Sequence, residues 1–260
     1  MARVQVDQVD GVAVVRLANG KVNALDLELL EEITDVFPAI TADSVVLTGA
    51  GPNFSAGVDL RLVMEGGSDY VRAFLPALGR AFLAVFGLGK RTVAAINGHA
   101  VAGGAILAAA CDHRVMATGR GTIGVTGMLV GMAFPPTALE ILGYGFGEPG
   151  ARRAVLTGHT LAPAEALAAG YVDELTAPDL LVDTAVARAR PPASPDAYRL
   201  TKAQLQAGVH ERLARTRPVF DPQILDLWLE AIEDGRIRRY MASLSGRQSP
   251  VTQHQPELFA

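Results

Sequence analysis

The chain has 260 residues, half of them apolar and 19% charged, with a formal net charge of -4. This composition excludes a disordered chain and supports a sizeable core, and with no long basic stripe in the sequence a nucleic-acid partner is not expected. The single cysteine, Cys111, excludes an internal disulfide, which fits a reducing compartment. The longest apolar run, Val101 to Cys111, is too short to cross a bilayer, and the first residues carry no apolar signal segment, so a cytoplasmic protein with no membrane partner is expected.

Val4 to Val9 alternates apolar and polar residues, and Val12 to Leu17 is apolar except for Arg16. With Asp10-Gly11 between them, these runs predict a β-hairpin. Leu27, Leu30, Ile33, Val36 and Phe37 fall at helical spacing behind a capping Asp26, which predicts a helix over 27–40. Val45 to Thr48 reads as a buried strand. The polar stretch from Arg61 to Tyr70 reads as a surface loop or lid edge, followed by a helix over 71–88 that Pro76 and Gly79 can kink. Val93 to Ile96 and Asp112 to Ala117 read as strands, separated by a small-residue helix from Gly103 to Cys111. Further helices are expected from Pro135 or Pro136 to Tyr144, from Glu148 to Gly158, over 161–169 and over 178–190, with a short strand at 171–175. Pro191 to Pro195 marks a linker. Beyond it, helices are expected over 196–212 and 218–241, with Trp228, Leu229 and Ile232 as apolar anchors and a frayed tail over 245–260. The organisation is an α/β core over 1–190 and a helical region over 191–260 that packs on this core or on a neighbouring subunit.

Two strand-to-helix corners stand out. The first runs from Gly49 to Leu60 and the second from Ala95 to Ile106. Each follows an apolar run, and each leaves backbone N–H groups free at the start of a helix. If the two corners converge, their amides can hold the oxygen of a polarised carbonyl.

The segments Asn23-Ala24-Leu25, Phe54 to Leu60 and Ala95 to Gly104 together resemble the enoyl-CoA hydratase/isomerase (crotonase) superfamily. Cys111-Asp112, Leu156-Thr157-Gly158 and Ala166 to Val172 extend the resemblance across residues 5 to 205. It implies a crotonase-like α/β spiral of ββα units with a helical C-terminal region, assembled as a homotrimer or a dimer of trimers. It also implies an acyl-CoA thioester as the small-molecule partner, with coenzyme A arriving as part of the substrate and no permanently bound cofactor or metal. The positions that match the family's oxyanion amides are Val58 and Gly103. Ser55 and Ala56 match positions that pass the adenine and pantetheine portions of coenzyme A, and Lys202 lies where a basic side chain meets a coenzyme A phosphate.

The sequence departs from the family at the two glutamates of its hydratases, whose places the spacing assigns to Ile106 and Ile123. Neither side chain exchanges a proton, and adding water across a double bond needs an acid and a base. Glu140 is the carboxylate that can replace them; His99, Thr126 and Tyr144 are further polar candidates. Three readings follow from the residues. The first is an enzyme that stabilises a thioester enolate. The second is an acyl-CoA decarboxylase or thioester hydrolase using the same oxyanion hole; the wall Leu129 to Pro135 resembles the corresponding wall of decarboxylases in this superfamily. The third is a catalytically inactive acyl-CoA-binding homologue.

Overall fold

The computed structural model describes residues 2–245; most of the tail expected to fray, 246–260, lies outside them. Asp10 and Gly11 take φ of 49° and 80°, the positive pair a two-residue hairpin requires. They join β1 (Val4–Val9) to an antiparallel β2 (Val12–Leu17), with Val4 opposite Leu17 and Val9 opposite Val12. The Asp26 carboxylate accepts the Leu29 N–H at 2.8 Å and caps α1 (Leu27–Ala39). β3 (Ser44–Gly49) then lies parallel to β2. After α2 (Leu60–Phe86) comes β4 (Arg91–Ile96), parallel to β3.

β5 (Ala100–Val101) and α3 (Gly103–Ala109) form the second corner, and β6 (His113–Ala117) returns beside β4. β7 (Ile123–Gly124), α4 (Gly127–Val130), α5 (Pro136–Thr157), β8 (Thr160–Leu161) and α6 (Pro163–Ala168) follow. β9 (Glu174–Thr176) closes the main sheet in the order β1-β2-β3-β4-β6-β9, and β5-β7-β8 form a second, small sheet. α7 (Leu181–Arg188), α8 (Pro195–Glu233) and α9 (Arg236–Ser245) complete the described chain.

Strand periodicity divides the core between two faces. Ala13, Val15, Val45, Leu47, Ala94 and Ile96 face the large cluster that includes residues of α1, α2, α3 and α5, whereas Val12, Val14, Val46, Val93 and Ala95 pack against Leu181 and Ala185 of α7 and Ala189 just after it. Val209, Leu213, Ile224, Trp228, Ala231 and Ile237 of the C-terminal helices belong to the large cluster.

Three expectations need correction. The polar stretch after Arg61 is helical, because Asp59 accepts the N–H groups of Arg61 (3.0 Å) and Leu62 (3.1 Å) and Val63 is fully buried. The break in α2 falls at Gly67 (φ 61°, ψ -151°), while Pro76 stays within helical geometry. The last two helices divide at Gly235 (φ 72°) rather than near residue 215. Burial of Val209, Leu213, Ile224 and Trp228 on one body outweighs the local penalty of Pro218 and Pro222 inside α8.

Candidate active site

The two corners meet backbone to backbone. Ser55 pairs with Ala100 in a parallel bridge; the Ser55 N–H donates to His99 O at 3.0 Å and the Val101 N–H to Ser55 O at 2.9 Å. Asn97 fastens the corners with its side chain. Its Oδ1 accepts the Gly49 N–H at 3.1 Å, and its Nδ2 donates to Gly49 O (3.0 Å) and Gly51 O (2.8 Å). The fully buried Asn23 ties the same loop from the other side through Ala50 O (3.0 Å) and Asn53 O (2.8 Å). Glycine at 57 is what permits this approach. A Cβ there would lie 2.6 Å from Val101 O and 2.9 Å from Gly103 N, at a φ of +80°.

This arrangement fixes two amides. Val58 bridges to Leu25: the Leu25 N–H donates to Gly57 O at 2.7 Å and the Asp59 N–H to Leu25 O at 3.0 Å. The Val58 N–H therefore faces the opposite edge. Gly103 opens α3 behind Ala102, which holds φ 50° and ψ -116°, a strained conformation for a residue with a Cβ. Its hold comes from the Ala102 N–H, which donates to Gly124 O at 2.8 Å, and from Ala102 O, which accepts the N–H groups of Ala105 and Ile106. Among the described residues neither the Val58 nor the Gly103 N–H has an intramolecular acceptor.

Both residues line a cavity of about 640 Å³. Ala56, Asn53, Arg61 and His99 also line it, as do Ile106, Val130, Met132, Phe134 and Trp228, and Tyr240, Met241 and Leu244 of α9 contribute as well. Trp228 was expected as a packing anchor; it is buried, donates its indole N–H to Ala133 O at 2.9 Å and forms part of this wall. The lining holds one carboxylate among the described residues, Asp59, and that group caps α2. His99 turns Nδ1 toward Thr122 Oγ1 at 2.9 Å.

Several sequence-predicted residues stand elsewhere. Ser55 is fully buried; its hydroxyl donates to Asn23 O (2.7 Å) and accepts the Gly57 N–H (3.1 Å), so it braces the corner instead of lining the cavity. Glu140 points to α8, where both its oxygens accept from Arg212 Nε at 2.8 and 3.0 Å. Lys202 is buried against Asp112 at 2.9 Å and donates to Lys90 O at 3.1 Å. The Asp112 carboxylate also accepts from Tyr198 Oη (3.0 Å) and Thr92 N (2.8 Å). Burial, then the Asp112 charge, raises the Tyr198 hydroxyl, and the same two causes push the Cys111 thiol up to about 12, which leaves it inert as a nucleophile.

Ile106 lines the cavity as expected. Ile123 does not: it is fully buried in β7, opposite Ala100 and Leu161. Further along that segment Thr126 and Gly127 reach the wall, and Gly127 presses on the Phe134 ring, leaving no room for a side chain. Asn23 and Asn97 stood out in the sequence only within the segments that carry the family resemblance, with no bracing role attached. The cavity face of α9 carried a readable signal in Ile237, Tyr240, Met241 and Leu244, at one-face helical spacing.

Residues 7–225 match the family model described as enoyl-CoA hydratase/isomerase. The chain belongs to the enoyl-CoA hydratase/isomerase family. It is 33% identical over 222 residues to human mitochondrial enoyl-CoA delta isomerase 1, covering 82% of this chain and 74% of that protein. It is 38% identical over 187 residues to a putative enoyl-CoA hydratase of Thermus thermophilus, covering 70% of this chain and 73% of the relative. The crystal structure of human mitochondrial delta3-delta2-enoyl-CoA isomerase superposes with a TM-score of 0.88 at 28% identity, over 95% of this chain and 100% of that one. The fold of this family member is therefore that of its solved relatives, helical C-terminal region included.

Proposed function

We propose that the chain binds an acyl-CoA thioester with its carbonyl oxygen on the amides of Val58 and Gly103, and that it processes the acyl group through an enolate-type oxyanion. What supports this reading is that Val58 and Gly103, whose N–H groups have no intramolecular acceptor among the described residues, both line one largely apolar cavity. Donors fixed in advance stabilise charge as it develops on the oxygen without reorganising, an effect worth about 3–4 kcal/mol per donor in other enzymes. Ala56, on the same wall, borders the path of the pantetheine arm. Coenzyme A comes and goes with the substrate. The family resemblance supports assembly as a homotrimer or a dimer of trimers.

Two-carboxylate hydration does not fit this lining. Ile106 and Gly127 offer no proton, and Asp59 is engaged in its cap. That observation favours decarboxylation as a second reading. The bond between the α-carbon and a substrate carboxylate breaks, carbon dioxide leaves, and the electron pair passes into the enolate held by the two amides. The α-carbon then takes a proton from water. An apolar cavity assists by stripping water from the departing carboxylate.

A crystal structure with an unreactive acyl-CoA analogue tests the primary reading. The thioester oxygen is expected within about 3.1 Å of both amide nitrogens. An oxygen held elsewhere, or no binding at millimolar analogue, refutes it. Incubation with malonyl-CoA and with a 2-enoyl-CoA then separates the reactions: carbon dioxide release supports decarboxylation, water addition supports a hydratase, and binding without turnover supports a non-enzymatic binder.

A further inference from the structure

Arg236 stands outside the corners yet touches the segment that shapes the cavity. Its Nη1 donates to Gly131 O at 3.2 Å. Gly131 ends α4 in the left-handed conformation (φ 76°), and its chain neighbours Val130 and Met132 both line the cavity. A Cβ at Gly131 would lie 3.1 Å from Arg236 Cδ, so the arginine stem lies flat on the glycine.

The guanidinium is aimed by the turn that starts α9. Asp234 Oδ2 accepts from Arg236 Nε at 2.7 Å and pairs with Nη2 at 2.5 Å, and Asp234 Oδ1 accepts the Arg236 N–H at 2.8 Å. One carboxylate thus caps α9 and orients the side chain that reaches α4. The Arg236 contacts hold its carboxyl below the usual range. Along α9, Tyr240 and Leu244 follow Arg236 at steps of four residues, so all three share a face, and both line the cavity.

We propose that Arg236 is a positioning residue for acyl-chain recognition, latching the α9 wall to the α4 wall so that the two grip a long acyl chain as one surface. This rests on the acyl-CoA reading above. A chain of several methylenes that leaves the corner at Val58 and Gly103 runs between Val130 and Met132 on one side and α9 on the other. An acetyl group stays at the corner and touches neither. The latch therefore acts on chain length and not on the thioester.

The test is calorimetric titration of the full chain with octanoyl-CoA, acetyl-CoA and free coenzyme A. Arg236→Ala is expected to weaken octanoyl-CoA roughly tenfold, the size of one charge-assisted hydrogen bond, and to leave the other two ligands within about twofold. Arg236→Lys, which keeps a donor, is expected to recover part of the loss. Asp234→Asn, which keeps an acceptor for the helix cap but releases the guanidinium, is expected to mimic Arg236→Ala. Equal weakening of all three ligands, or no change in any, overturns the latch and leaves Arg236 as a helix-start contact only. If Arg236→Ala does not fold, Leu244→Ser, at an exposed position of the same wall, must show the same chain-length dependence for the proposal to stand. Wild-type protein that binds none of the three ligands overturns the acyl-CoA reading, and the latch falls with it.

Discussion

Gly57 carries two burdens, a φ of +80° and a backbone neighbour where its Cβ would be. Gly57→Ala is expected to lower stability by about 2 kcal/mol or more, from the left-handed penalty plus the push on Val101 O and Gly103 N. Because Val58 and Gly103 flank the contact, acyl-CoA affinity is expected to fall at least about tenfold. Gly51→Ala separates the two burdens: its φ is +70° but nothing lies within 4 Å of its Cβ position. That variant should lose about 1–2 kcal/mol and bind normally. Urea unfolding with calorimetric titration checks the pair, and normal binding by Gly57→Ala refutes the corner geometry. Cys111 gives a second prediction at this scale. Its folded-state pKa rises from the ordinary 9.0 to about 12. As pH climbs through this interval the unfolded chain releases the thiol proton and the folded chain keeps it, so stability falls with pH, approaching about 1.4 kcal/mol per unit. Unfolding measured between about pH 8 and 10.5 should decline less steeply in Cys111→Ala than in wild type; identical slopes refute the assignment.

At the scale of elements, α8 is held to the sheet by a polar knot. Lys202 and Tyr198 reach Asp112 at the entrance of β6, and Gln206 donates to Phe86 O at 2.8 Å where α2 ends. Lys202→Ala leaves a largely buried carboxylate short of its cation, and a loss of about 2–3 kcal/mol is expected in urea unfolding. Acyl-CoA affinity should be unchanged, since Lys202 stands away from the cavity; a loss of affinity restores the phosphate contact the sequence suggested. Glu140→Gln breaks a surface pair with Arg212 and should cost less than about 1 kcal/mol. The hairpin, α1 and both corners were legible because their signals are local: an Asp-Gly turn, a capping aspartate, glycines between an apolar run and a helix. The directions of Glu140 and Lys202 were not. Both lie on helices, and which way a helix face turns depends on partners far along the chain, Arg212 and Asp112. Ser55 misled for a related reason. A small polar residue in a corner reads the same whether it faces a ligand or braces the turn, and only the approach of Asn23 decides between them. The unbroken course of α8 was hidden by Pro218 and Pro222, which are strong local signals overruled by burial.

Among the described residues, one core cluster takes in side chains from both sides of residue 190. Trp228 lies tilted against Phe74 with ring centroids 6.2 Å apart, and Ile237 is fully buried in the cluster that includes Val4 of the first strand. Trp228 also closes the cavity that the two corners open, so the C-terminal helices complete both the core and the candidate site. A core shared in this way should melt as one unit. Trp228 is the only tryptophan, so its fluorescence reports the docking of the C-terminal helices on the core, while far-UV circular dichroism reports the whole chain. In urea the two transitions are expected to coincide, with one midpoint and one slope. Residues 1–190 expressed alone would expose the faces of α2 and α5 that α8 covers, and no cooperative transition is expected from that fragment. If fluorescence moves at a lower urea concentration than dichroism, the last helices form a separate unit. The wall they supply to the cavity would then open without unfolding the corners, and chain-length recognition would vary with conditions that leave the two amides intact.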